Sequence, residues 1–177
     1  MAAKQIYLAG PDVFWPEAAA IGAAKKALCL EYGFCGHFPL DTELDLTGLS
    51  PYQAGLSIFN ANTSLMNDCD LIIANMTPFR GPSMDVGTAF EMGYVAAMKK
   101  PVWGYTLDNR NYAERVNGEL TDAEGYSIEA FDMPDNLMMI GATDTTGGLI
   151  TAKLEQTIEN HLKVFETVLQ QILTVQK

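Results

Sequence analysis

The chain has 177 residues, 48% of them hydrophobic, enough for the core of one ordinary domain spanning residues 1–177. Twenty-two acidic and 11 basic residues give a net charge of −11, which repels phosphate backbones and anionic lipid and so argues against nucleic acid or membrane surfaces as partners. No apolar run reaches the roughly 18 residues of a membrane helix, and the start lacks a basic flank with a long apolar stretch, so a cytoplasmic protein is expected.

Ile6 to Ala9 is a short apolar run stopped by Gly10-Pro11 and predicts a buried strand. From Pro16 to about Glu31, Ala18, Ile21, Ala24 and Leu28 recur at helical spacing, and Gly33 is the stop signal. The run from Phe34 to Phe38 predicts a second short strand, and Asp41 to Ser50 a polar loop. Ser50-Pro51 opens a helix, serine as cap and proline at the first position, that ends near Asn67. Asp70 to Asn75 is the clearest strand. A helix is predicted from Ser83 to Lys99 and a strand from Pro101 to Tyr105. Thr106 to Pro134 is a polar insertion longer than ordinary connections. Asn136 to Ile140 reads as the last strand, and Gly147-Gly148 as the lead into an amphipathic helix over Leu149 to Leu173. Cys29, Cys35 and Cys69 lack metal-ligand spacing and sit among apolar neighbours, which predicts buried free thiols.

This alternation predicts an α/β three-layer sandwich of flavodoxin or Rossmann type, with about five parallel strands and helices on both faces. Ligands in such sheets sit beyond the carboxyl ends of the strands. That rule points to Gly10 through Phe14, to the loop after Asn75 that includes Ser83, and to the helix carrying Glu91.

Glu91 lies about two turns into a helix whose other residues are nearly all apolar or small. A carboxylate there is costly to bury unless it is paired, with Arg80 or a lysine, or used. Gly87 and Gly93 suit close approach of a ligand or another element. Asp85, in the first turn, fits a dipole-stabilised cap as well as a functional group. Tyr7, on a central strand, is an ordinary core residue unless its place near Gly10 brings it to a site. There is no P-loop and no GxGxxG. His37 and His161 are far apart, His161 reads as solvated, and no metal or cofactor is expected.

On Ile6-Tyr-Leu-Ala-Gly-Pro-Asp-Val-Phe14, Phe38-Pro-Leu-Asp41, the long stretch from Asp70 through Arg80 and Asp85 to Glu91-Met-Gly-Tyr94, and Asn136-Leu-Met138, the sequence resembles the nucleoside 2-deoxyribosyltransferase family. The resemblance implies a ping-pong transfer of 2-deoxyribose between nucleobases of 2'-deoxyribonucleosides, through a deoxyribosyl ester on Glu91. It implies that Asp85 holds the sugar and the nucleophile, and that Tyr7 touches the nucleophile region. It also implies a dimer-based homo-oligomer, such as a hexamer, in which Asn136 and Met138 serve a neighbour's site at the sugar's 5' end. Some members carry an aspartate on the base side where Asn62 stands here, and others a glutamine where Glu43 stands.

The motif chemistry agrees: two successive inversions through a carboxylate are the logic of retaining glycosidases. Two other readings fit less well. An N-glycosidase acting on deoxynucleosides or their 5'-monophosphates would use Glu91 with water as acceptor. A non-catalytic nucleotide sensor on the same scaffold would not need a carboxylate inside an apolar helix.

Overall fold

Four of the apolar runs, together with Gly148–Thr151, form one parallel sheet in this computed structural model, which describes residues 2–116 and 120–175. The strands are β1 (Gln5–Ala9), β2 (Cys35–His37), β3 (Leu71–Asn75), β4 (Val102–Thr106) and β5 (Gly148–Thr151), in spatial order β2-β1-β3-β4-β5. The three central strands are buried almost throughout, as near-continuous apolar strands covered on both faces must be. The helices are α1 (Ala18–Glu31), α2 (Pro51–Asp68), α3 (Val86–Ala97), α4 (Tyr112–Arg115), α5 (Leu137–Thr146) and α6 (Ile158–Val175).

Strand alternation divides the core. Ile6, Leu8, Ile73, Trp103 and Tyr105 pack on the side of α1 and α6. Tyr7, Ala9, Ile72 and Ala74 pack on the other side with Met92 and Val95 of α3 and Ala142 of α5. Tyr7 therefore points toward α3, the helix that carries Glu91. The chain reverses direction across the sheet between β1 and β3, and the crevice at their carboxyl ends is where this topology seats ligands.

Local chemistry explains the elements that follow the sequence. The Ser50 hydroxyl accepts from Gln53 N, the Gln53 side chain reaches back to Ser50 N at 3.0 Å, and Pro51 occupies the first turn of α2. Helix α3 starts at Val86 rather than Ser83, because Asp85 is its cap and not a first-turn residue.

Two predicted elements are overturned. Asn136–Ile140 is the start of α5, not a strand: the Asn136 side chain accepts from Met138 N at 3.0 Å and so caps a helix. The last strand is β5, inside the segment predicted as helix, and α6 begins only at Ile158. Gly147 and Gly148 are there for packing: a Cβ on Gly147 would lie 2.2 Å from Val102 O, and one on Gly148 2.7 Å from the Trp103 ring. The polar insertion holds α4 and a bridge between Thr121 and Ser127. Cys29 and Cys69 are buried as expected, but Cys35 is exposed on the edge strand β2. No helix among the described residues is long and apolar enough to cross a membrane.

Candidate active site

Glu91 is the residue around which the crevice is built. Its Oε1 accepts a 2.6 Å hydrogen bond from the Tyr7 hydroxyl, across 84 positions of sequence. Among the described residues no lysine or arginine pairs with it and Oε2 has no hydrogen-bond partner, so the expected core pairing with Arg80 or a lysine is not what holds it. Burial pushes its carboxyl up to about 7; the Tyr7 hydrogen bond pulls it down and the Asp85 charge adds to the rise. The Tyr7 hydroxyl is itself held far above its ordinary range, first by burial and then by the Glu91 charge, so it stays a donor.

Asp85 caps α3, its Oδ2 accepting from Thr88 N at 2.9 Å and Thr88 Oγ1 at 3.1 Å. It also faces the cavity. The capping reading is what the hydrogen bonds show, and the same side chain lines the cavity.

A cavity of about 340 Å³ opens over Glu91, lined among others by Gly10, Phe14, Leu40, Ile58, Asn62 and Asp85. A second space of about 340 Å³ adjoins it, walled by Phe59, Met66 and Phe90 and sharing Asn62, Gly87 and Glu91. A third, of about 210 Å³, runs under the loop after β2 past Leu44 and Leu46 and again reaches Asn62. Asn62 is thus the polar side chain common to all three, and its amide has no hydrogen-bond partner among the described residues. The mouth carries Phe14, 55% exposed and stacked on Phe79 at 5.4 Å, with the Arg80 guanidinium over both rings.

Gly10 shapes the floor. It has φ 155 and ψ 167, a conformation almost confined to glycine, and a Cβ there would meet Asp12 Oδ2 at 2.5 Å and Asn75 Cβ at 2.7 Å.

The structure therefore brings Tyr7, Gly10, Phe14, Asn62, Asp85 and Glu91 together. It does not bring the other four. Glu43 is exposed in its loop and lines none of the spaces. The Ser83 hydroxyl donates to Asp135. Asn136 caps α5 and donates to Glu129 at 2.8 Å, and Met138 is 66% exposed. Sequence reading missed the clip behind them, in which buried Arg115 pairs with Asp135 at 3.6 Å and donates to Pro82 O at 2.7 Å. It also missed Ile58, in a helix read only for its spacing, and Leu40, within the stretch Phe38-Pro-Leu-Asp41 but given no role.

A sequence model of the family described as nucleoside 2-deoxyribosyltransferase matches residues 6–138. The chain belongs to that family. An uncharacterised protein of Schizosaccharomyces pombe is 32% identical over 167 aligned residues, covering 82% of this chain and 79% of that one. The solved 2-deoxyribosyltransferase of Leishmania mexicana is 33% identical, with a TM-score of 0.68 over 90% of this chain and 97% of that one. A CMP N-glycosidase of Clostridium botulinum shares the fold, at 14% identity and a TM-score of 0.50 over 93% and 99% of the two chains. The five-stranded parallel sheet of this deoxyribosyltransferase-family chain is the flavodoxin-like arrangement.

Proposed function

We propose that this protein transfers 2-deoxyribose from a 2'-deoxyribonucleoside to a second nucleobase through a covalent ester on Glu91. The carrying observation is the unpaired Glu91 carboxylate, held by a single phenol and facing an apolar cavity. A Glu91 oxygen attacks C1', the bond from C1' to the base nitrogen breaks, and its electron pair leaves with the base. A nitrogen of the second base then attacks C1', the ester oxygen departs, and the carboxylate is restored. Tyr7 orients the carboxylate, and Asp85, beside it, binds the sugar.

Phe14 offers a face on which a base can stack, Gly10 lets the ligand approach the backbone, and Asn62 presents both a donor and an acceptor to the base edge. The departing base takes its proton from solvent, or from Glu43 when its loop folds over a ligand. Asn136 and Met138 lie outside this chain's own cavity, which suits service to a neighbouring subunit. Support for such an oligomer comes from an apolar surface beside the site: Tyr52, Leu56, Phe59, Val86 and Phe90 are each 46% or more exposed. The substrates on this reading are small molecules of cytoplasmic nucleoside salvage.

The test is to incubate the protein with deoxyinosine or thymidine plus adenine and look for deoxyadenosine. Free base should speed loss of the donor. Donor loss to free deoxyribose at a rate indifferent to added base would make the protein a hydrolase, with water in place of the second base. Binding without turnover of any deoxynucleoside would make it a sensor.

A further inference from the structure

On the opposite face of the sheet, directly behind Gly10, lies a polar cluster that the proposed chemistry does not use. Asp12, which follows Gly10-Pro11, and Lys25 of α1 are 0% and 1% exposed and pair at 2.7 Å. Asp12 Oδ1 accepts from Asn75 Nδ2 at 3.0 Å. The same amide nitrogen lies 3.3 Å from His161 Nδ1, and Asn75 Oδ1 accepts from Thr77 N at 3.1 Å. Both amide hydrogens and the carbonyl are thus engaged, which fixes the amide's orientation and leaves Nδ1 of His161 as the acceptor. Burial pushes the His161 pKa down to about 4, so the ring is neutral near pH 7. The Lys25 ammonium also sits 5.3 Å from the Tyr105 ring centroid and 5.4 Å from that of Phe165.

Five elements meet in this cluster: the turn after β1, α1, the end of β3, β4 and α6. A buried ion pair is a poor device for stability alone, since well-packed apolar side chains of similar volume often do as well. What this one does is local. Its carboxylate folds back against Gly10, so closely that a Cβ there would lie 2.5 Å from Asp12 Oδ2, and because glycine is free to leave this conformation the turn is held by what surrounds it. The same turn then presents Val13 and Phe14 to the cavity.

We infer that Asp12, Lys25 and Asn75 are positioning residues that hold the Gly10–Phe14 turn as a rigid wall of the substrate cavity. They govern how tightly a nucleoside is held without touching it. The inference rests on the deoxyribosyl-transfer reading for its substrate, but not for its structural core.

Trp15 supplies an independent readout. It directly follows Phe14 and packs edge-on against His161 at 5.1 Å, while the second tryptophan, Trp103, lies in β4. The experiment compares the parent with the neutral, volume-matched double variant Asp12→Asn/Lys25→Met and with Asn75→Ala, each carrying 5-fluorotryptophan for fluorine NMR. Ile172→Ala, in the buried face of α6 away from the cluster, is the control for simple destabilisation. In the double variant, KM for the donor nucleoside should rise at least tenfold while kcat falls less than threefold. The Trp15 resonance should shift or broaden and that of Trp103 should not; Asn75→Ala should do the same more weakly. Ile172→Ala should lower Tm and leave both KM and the Trp15 resonance in place. If the double variant does not fold, Asn75→Ala decides. A folded cluster variant with the parental Trp15 resonance and a KM within twofold overturns the inference. Should the parent turn over no nucleoside, the Trp15 resonance alone decides, so failure of the proposed activity and failure of the wall are told apart.

Discussion

Two carboxylates near the same edge of the sheet, Asp12 and Glu91, have been placed in opposite surroundings. Asp12 is enclosed by a lysine ammonium and an asparagine amide, and both of its oxygens are occupied. Glu91 receives one phenol, meets no cation among the described residues, and has its carboxyl lifted to about 7. The first arrangement makes a carboxylate inert and turns it into structure. The second leaves it under-solvated and available, as a nucleophile must be. Burial alone does not mark a functional carboxylate; burial without compensation does.

The contrast can be broken most directly at Glu91. Replacing it with alanine should cut turnover by about 10³-fold or more with the fold retained by circular dichroism. Near-normal turnover in a folded Glu91→Ala protein would remove Glu91 from the chemistry. The next effect is on the other carboxylate. Lys25→Ala leaves Asp12 buried without its cation and should cost about 3–5 kcal/mol in urea unfolding, the range for one broken buried pair.

Tyr7→Phe deprives Glu91 of the one donor it has among the described residues. Tyr7 fixes the direction of the attacking carboxylate, and a misplaced nucleophile costs up to about 100-fold, so kcat should fall by about 10- to 100-fold. Activity needs ionised Glu91 and should decline as pH drops through about 7 in the parent. That limb should move to higher pH in Tyr7→Phe, since the bond that holds the pKa down is gone. A limb that stays in place would mean that another group titrates there.

The smallest effect is on stability against pH. The carboxyl of Glu91 titrates near 4.5 when unfolded and about 7 when folded, so between those values the folded state holds the extra proton. Stability from this group is full below pH 4.5 and is lost as pH rises through 7. Glu91→Gln removes that loss, so the variant should gain steadily on the parent as pH rises across this window. Parallel stability curves for the two proteins would contradict the uncompensated burial.

Much of this could be read from the chain because the signals were local. Ser50, Pro51 and Gln53 specify a helix start on their own, and the apolar run before Asn75 specifies a buried strand. Glu91 stood out because a carboxylate interrupts an apolar helix. The errors arose where distant residues decided. Gly147 and Gly148 are punctuation in a sequence, but the space they leave belongs to Val102 and Trp103, more than 40 positions away. His161 was read as solvated, yet it opens the buried series His161, Val164, Phe165, Val168, Leu169 and Ile172, whose spacing was visible in the chain. Asp12 lay inside the Gly10–Phe14 stretch but was given no role: its meaning comes from Lys25 on a helix and Asn75 on a strand, which only the fold brings together. Ser83 and Asn136 had marks, but Asp135 and Glu129 hold them in this chain.

Helix α2 has 18 residues and one fully buried side chain, Met66, although it supplies Ile58 and Asn62 to the cavity. So little burial within one subunit anchors that wall that, where no neighbour covers Tyr52, Leu56 and Phe59, its amides should exchange with deuterium through local openings, long before those of β1, β3 and β4, which open only with the whole core. The wall carrying Asn62 is then the part of the site that yields first, and a bound nucleoside, or a neighbour packed on that helix, should protect those amides.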